Sequence, residues 1–226
     1  MLPANAIYFE DPHARMLLER ANGQRYRLPS SFPGFTASLR VQINQECWEG
    51  DVRVGSRKHV HVYLAAAIPG ALVRTKVQSM LLHRWPTPIH ERDGRYALAL
   101  DSTPHPCGTC VRLCGDPLHS TYHISDEGIT LVSRTIGPQQ MAIAILDSQQ
   151  TANGTRLPTH FTLAIRERAT RQLLRADSYT DRYVAVQGYM LPQRRQAIIH
   201  AAHHTTCYTL ELSNHRLNGT HDILAA

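Results

Sequence analysis

The chain has 226 residues, 42% of them hydrophobic, with 24 Lys and Arg against 18 Asp and Glu for a formal charge of +6. That balance belongs to a chain that folds around a core and excludes a disordered or low-complexity protein. No apolar run approaches the roughly 20 residues that cross a bilayer as a helix. Lys58 and Lys76 are the only lysines, and the arginines are scattered instead of forming a basic stripe with stacking aromatics between them. No nucleic-acid partner is expected from such a pattern. The first stretch, MLPANAIYFEDPHARMLLER, has Glu10 and Asp11 early, no basic start and no long apolar core. Together with an odd count of five cysteines, this leads us to expect reduced thiols and a cytoplasmic location.

In chain order, the first predicted element is a helix from Pro12 to Ala21, with Asp11 as N-cap, Pro12 at the first helical position and Asn22-Gly23 as its end. After Phe32-Pro33-Gly34, Phe35, Ala37, Leu39, Val41 and Ile43 alternate as in a half-buried strand. A second strand is expected from Cys47 to Val54, with Gly50 as a bulge site. In a third, Lys58 to Leu64, Val60, Val62 and Leu64 oppose His59, His61 and Tyr63. From Pro69 to Trp85, Val73, Val77, Met80, Leu81 and Leu82 recur at helical spacing until Pro86. Short strands then follow at Tyr96–Leu100, Val111–Cys114, Thr121–Ile124, Ile129–Arg134, Met141–Leu146, Phe161–Arg166, Tyr183–Tyr189, Ala197–Ala202 and Cys207–Leu212. Strands so closely spaced pair antiparallel, because parallel neighbours need long crossovers. The expected fold is therefore mostly β, a curved antiparallel sheet forming a barrel or half-barrel. An N-terminal helix and one longer helix, about 69–85, pack on it, and residues 1–226 form a single domain.

The segments ARMLLERANGQRY, FPGFTASLRV, LLHRW, STYHI, DSYTDRYVAVQGYMLPQRR and LELSNHRLN follow one another from Ala14 to Asn218. In that order the chain resembles a cyanobacterial and algal family of similar length catalogued as a domain of unknown function. The end of the chain, a Gly-Tyr-x-Leu-Pro strand start and a later Leu-Ser-Asn, is similar to the periplasmic lipoprotein carriers. That second resemblance implies a half-barrel fold and a hydrophobic ligand class. Unlike the carriers, the chain is expected to have no export signal, and it differs from the first family in the cysteines and histidines between Cys107 and His123.

Several groups have the residue types that chemistry needs. Cys107, Cys110, Cys114 and His119, close to His105 and His123, are candidate ligands for a tetrahedral Zn²⁺, set against a reduced Cys-Gly-Thr-Cys turn. His59 and His61 share a strand face and would reach one ion only with ligands such as His200, His203 or His204. Asp177, Tyr179, Asp181, Arg182 and Tyr183 face Arg194 and Arg195 across a turn at Gly188 to Pro192. There they would orient a polar group, perform acid–base work, or simply fix a strand crossing. No Gly-x-Ser-x-Gly, Gly-x-Gly-x-x-Gly or P-loop motif is present.

Two functions follow as expectations. One is a binding or carrier protein for a hydrophobic small molecule such as a lipid, isoprenoid or tetrapyrrole, held in an internal apolar cavity. Its ligand-binding residues would include Tyr63, Tyr183, Met141 and Ile143. The other is a cofactor-free or metal-assisted enzyme of cyclase, isomerase or lyase type acting on an apolar substrate. Its catalytic groups would be His59, His61, Asp177, Tyr179 and Arg194.

Overall fold

The computed structural model describes residues 9–56, 59–64, 70–87, 91 and 93–219. The elements in order are α1 (Pro12–Gly23), β1 (Phe35–Ile43), β2 (Glu46–Val54), β3 (Val60–Leu64), α2 (Gly70–Leu82), β4 (Ala97–Asp101), β5 (Thr109–Cys114) and β6 (Thr121–Ser125). They continue with β7 (Gly128–Ile136), β8 (Gln139–Gln150), β9 (Arg156–Glu167), β10 (Leu173–Val186), β11 (Tyr189–Ala201) and β12 (His204–Leu217). Among the described residues these strands form one sheet, in the order β3-β2-β1-β12-β11-β10-β9-β8-β7-β6-β5-β4. The first and last strands of that order are edges, so of the two expected alternatives the unclosed one is present.

The chain divides into two compact units: the described parts of Met1–Tyr26, Thr87–Ser178 and His200–His204, and those of Arg27–Pro86, Tyr179–Ile199 and Thr205–Ala226. In the first unit, the Asp11 carboxylate caps α1 by accepting from the His13 and Ala14 N–H groups. Ala14, Leu17, Leu18 and Ala21 recur every three or four residues and pack onto Leu98, Val111, Leu113, Tyr122 and Ile124 of β4–β6. Burying each leucine there stabilises the unit by roughly 1.5–3 kcal/mol. The edge strand β4 is covered by the chain just before α1: the Leu98 N–H donates to Glu10 (2.9 Å) and its carbonyl accepts from the Asp11 N–H (2.8 Å). At Leu98 that edge is thereby closed to pairing with another chain.

In the second unit, β1 alternates as its sequence predicts, with Phe35, Ala37, Leu39 and Val41 buried. The α2 stripe of Val73, Val77, Met80 and Leu81 is buried too, and the helix lies against β3. Gly50 is not a bulge: β2 pairs in unbroken register with both neighbours. A side chain there would collide with the Tyr63 carbonyl at 1.9 Å, so glycine is required by the close approach of β3. Gly34, at φ +85°, meets a similar limit at the Val54 carbonyl. The same carbonyl and that of Pro33 accept from the Asn218 amide (3.0 and 3.1 Å).

The expected strand at Tyr183–Tyr189 is instead the end of β10, a turn at Gln187-Gly188 and the start of β11. Both turn residues have positive φ, which is the type I′ geometry matched to strand twist. Pro69 and Lys58, the expected starts of α2 and β3, lie outside the described residues.

Candidate functional site

The first unit carries a partly exposed apolar face. Residues opposite one another in an antiparallel pair share a face, so the registers define rows across the sheet. Val132, Ile143 and Leu163 form one row, Arg134, Met141 and Ile165 the next, and Ile145 stands opposite Phe161. Tyr122 pairs with Val132 and belongs to the core beneath α1, so these rows lie on the α1 side of the sheet. The helix covers β4, β6 and β7. Beyond it, Met141, Ile143, Ile145, Phe161, Leu163 and Ile165 are all only half-buried. Full burial of such side chains is worth about 1.5–3 kcal/mol each, and the residual exposure of this face forgoes a fraction of that at each position. The other face of the same strands carries Ala142, Ala144, Ala164 and Thr162, which leave much less apolar surface.

Where this face meets the end of α1 there is a small cleft lined by Ala21, Gln24, Arg25, Glu127, Ile145 and Arg156 among others, with a volume of about 20 Å³. That is room for one or two waters. Its walls are fastened by backbone: the Tyr26 N–H donates to the Arg156 carbonyl (2.9 Å) and the Arg156 N–H to the Gln24 carbonyl (2.7 Å). Gln24 Nε2 donates to the Asp126 carbonyl at 3.4 Å, while its Oε1 is buried without a hydrogen bond among the described residues. Arg156 stands 3.7 Å from the Glu127 carboxylate, whose side chain is 75% exposed. A second cleft, of about 90 Å³, is lined by Arg40, Gln42, Thr209 and Glu211 in the second unit.

The second unit holds a buried polar network. Arg195 donates from Nε and Nη2 to the two oxygens of Asp181, both at 2.6 Å, and from Nη1 to the Ser79 hydroxyl at 2.7 Å. The Tyr183 hydroxyl donates to Asp181 at 3.0 Å and accepts from Arg84. Arg84 lies over the Tyr183 ring and Arg195 over that of Tyr179. Burial pushes the Tyr183 phenol well above its ordinary range, because the buried phenolate would lose its hydration. Arg195 is held firmly charged: burial opposes the charge, but the Asp181 hydrogen bonds and field outweigh it. With Asp181 and Arg195 only 1% and 4% exposed, the network fixes the β10–β11 hairpin beneath α2.

The remaining expected residues fall elsewhere. Asp177 belongs to the first unit and is held bidentately by Arg175 (2.8 and 2.6 Å). Arg194 pairs with Glu211 at 3.1 Å on a half-exposed position. His59, His61 and Tyr63 are exposed on or beside the edge strand β3, with the His61 and Tyr63 rings stacked at 6.5 Å. The possible co-ligands His200, His203 and His204 belong to the other unit. Cys110 and Cys114 stand four residues apart on β5, Cys107 precedes that strand, and His119 occupies a turn at φ +46°. No group of three or more metal-binding side chains converges among the described residues. What the loop before β5 does bring together is His105 and His123, their ring centroids 4.0 Å apart. Met141 and Ile143 do share one face, the open apolar one.

Sequence reasoning had marked Met141 and Ile143 without their cross-strand partners. Phe161, Leu163 and Ile165 alternate just as clearly, and only the register joins the two strands. Gln24, Arg25 and Arg156 had no signal, being ordinary polar residues at element ends.

An unclosed antiparallel sheet of twelve strands with two α-helices among the described residues defines a mostly β protein. The chain belongs to the family described as Protein of unknown function (DUF3386), whose pattern matches residues 9–217. No curated protein matches it. Among solved structures, a DUF1329 family protein from Desulfovibrio piger is similar at 9% identity and a TM-score of 0.27, over 92% of this chain and 93% of that one. A likeness that loose carries no argument about site or ligand. No helix among the described residues is long and apolar enough to cross a membrane.

Proposed function

We propose that the protein binds a hydrophobic small molecule, of the lipid, isoprenoid or tetrapyrrole class, on the open apolar face of β7–β9. The observation that carries this reading is the set of rows from Val132 to Ile165, apolar on the helix side yet only half-buried. Contiguous, partly exposed apolar surface of that kind supports an interaction site. The ligand would lie along the sheet beside α1, since the clefts described above are too small to enclose it. The titratable groups that an enzyme would need, His59, His61, Asp177, Tyr179 and Arg194, are not gathered on this face. Binding without chemistry is therefore the reading we adopt.

Titration with the neutral fluorophore N-phenyl-1-naphthylamine tests it. Ile143→Glu places a charge in the middle of the face and should weaken the probe at least about tenfold, a loss of about 1.4 kcal/mol. Ala142→Glu, one residue away on the opposite face, should leave it within about twofold, under 0.5 kcal/mol. Equal effects of the two substitutions, or no saturable binding to the unmodified protein, would rule the apolar face out.

A further inference from the structure

We infer that the ligand is an anionic amphiphile whose head sits at the mouth of the cleft between Arg25 and Arg156, with its tail along Ile145, Ile143 and Met141. This rests on the binding face just proposed and adds the chemistry and direction of its occupant. Ile145 belongs to both features: it lines the cleft and begins the apolar strip on β8. From Ile145 to Met141 the strip runs about 13 Å at the usual rise per strand residue.

The two ends of that strip differ in charge. At the cleft end the charged lining residues are Arg25, Arg156 and Glu127, two cations to one anion. Glu127 is exposed and its 3.7 Å contact with Arg156 is loose. Such pairs are worth little in water, so a ligand carboxylate or phosphate displaces it at small cost. Asp126 and Asp147 are not among the lining residues; Asp126 lies 3.6 Å from Arg20, and Asp147 accepts from the Ser148 N–H at 2.7 Å. At the Met141 end the cation is Arg134, which already donates to the Tyr122 hydroxyl at 2.7 Å and to Asp93 at 3.4 Å. Further along the same face stands Glu167 opposite Gln139. An anionic head is therefore favoured at one end and opposed at the other, which sets the direction.

The test is displacement of N-phenyl-1-naphthylamine from the full chain by four twelve-carbon amphiphiles below their micelle concentrations: dodecanoate, dodecyl phosphate, dodecanol and dodecyltrimethylammonium. We expect both anions to bind at least about tenfold more tightly than the alcohol, and the cation to be weakest, the range that one charge-assisted contact supplies. Whichever anion binds more tightly distinguishes a carboxylate from a phosphate head. Arg156→Gln should remove most of the preference while the probe itself still binds. Glu127→Gln, which deletes the competing carboxylate, should strengthen dodecanoate binding. Equal affinity for all four heads, or a preference unchanged in both variants, overturns the inference and leaves the apolar face standing. Failure of the probe and of every amphiphile to bind overturns the apolar face and this inference with it.

Discussion

Arg195 shows how a buried charge is tolerated here. Its guanidinium is matched to Asp181 by two parallel hydrogen bonds and to Ser79 by a third. Breaking such a pair leaves the partner's charge buried and uncompensated, which costs about 3–5 kcal/mol. Arg195→Met keeps the side-chain bulk and leaves Asp181 with the looser ion pair to Arg84 at 3.7 Å, so it should lower unfolding stability by up to about that amount, measured by urea titration. The double substitution Asp181→Leu with Arg195→Met removes that pair but also takes the Asp181 carboxylate from buried Arg84, so it should recover part of the loss, an apolar replacement of a buried pair being often close to neutral. If the single and double variants were equally unstable, the loss would come from packing and not from the stranded carboxylate.

At the scale of elements, the turns carry information that hydrophobic patterning does not. Strand β11 meets β12 through Ala202-His203, both at positive φ (+50° and +67°). That is a type I′ hairpin built from residues poorly suited to it, since the left-handed region costs a side-chain-bearing residue about 1–2 kcal/mol. Replacing the pair with Asn-Gly, which suits this turn, should stabilise the protein by about 1 kcal/mol and raise the thermal midpoint. An unchanged or lower midpoint would mean that the turn is held by contacts of its own. The expected strand Ala197–Ala202 ran into this turn for the same reason: neither residue advertises one. β1 and α2 were legible because their buried positions are apolar and strictly periodic. The first half of β10 was not. Its inward positions are Asp177, Tyr179, Asp181 and Tyr183, all buried, so the period of two is present but written in polar residues. The open face was half legible, since alternation showed on β8 and β9 separately while their register is a long-range property.

For the whole molecule, the titrating groups with resolved shifts predict a stability maximum with two flanks. Hydrogen bonding from Arg15 lowers Glu10, and backbone and side-chain hydrogen bonds from Thr103 lower Asp101. Asp116 is also lowered: burial opposes its charge, but hydrogen bonds from Ser120 and Leu118 and the field of Arg134 prevail. Burial lowers His123, with His105 beside it adding repulsion, and burial lowers His215 against the hydrogen bond to the Pro192 carbonyl. Each of these groups binds its proton less readily folded than unfolded, so stability rises with pH wherever they titrate. The histidine contribution is complete above about pH 6.5 and is lost below it, and the carboxylate contribution follows below about pH 4. On the alkaline side the sign reverses, because burial and Asp93 push Tyr122 up to about 12. Its contribution is present below about pH 10 and fades as the pH rises further. Denaturant midpoints should therefore climb from pH 4 to 7, hold level to about pH 9 and fall beyond. His123→Gln and His215→Gln together should flatten the segment between about pH 5 and 7 and leave the acid limb in place. A wild-type curve already flat through that segment would show that neither imidazole keeps its buried setting in solution.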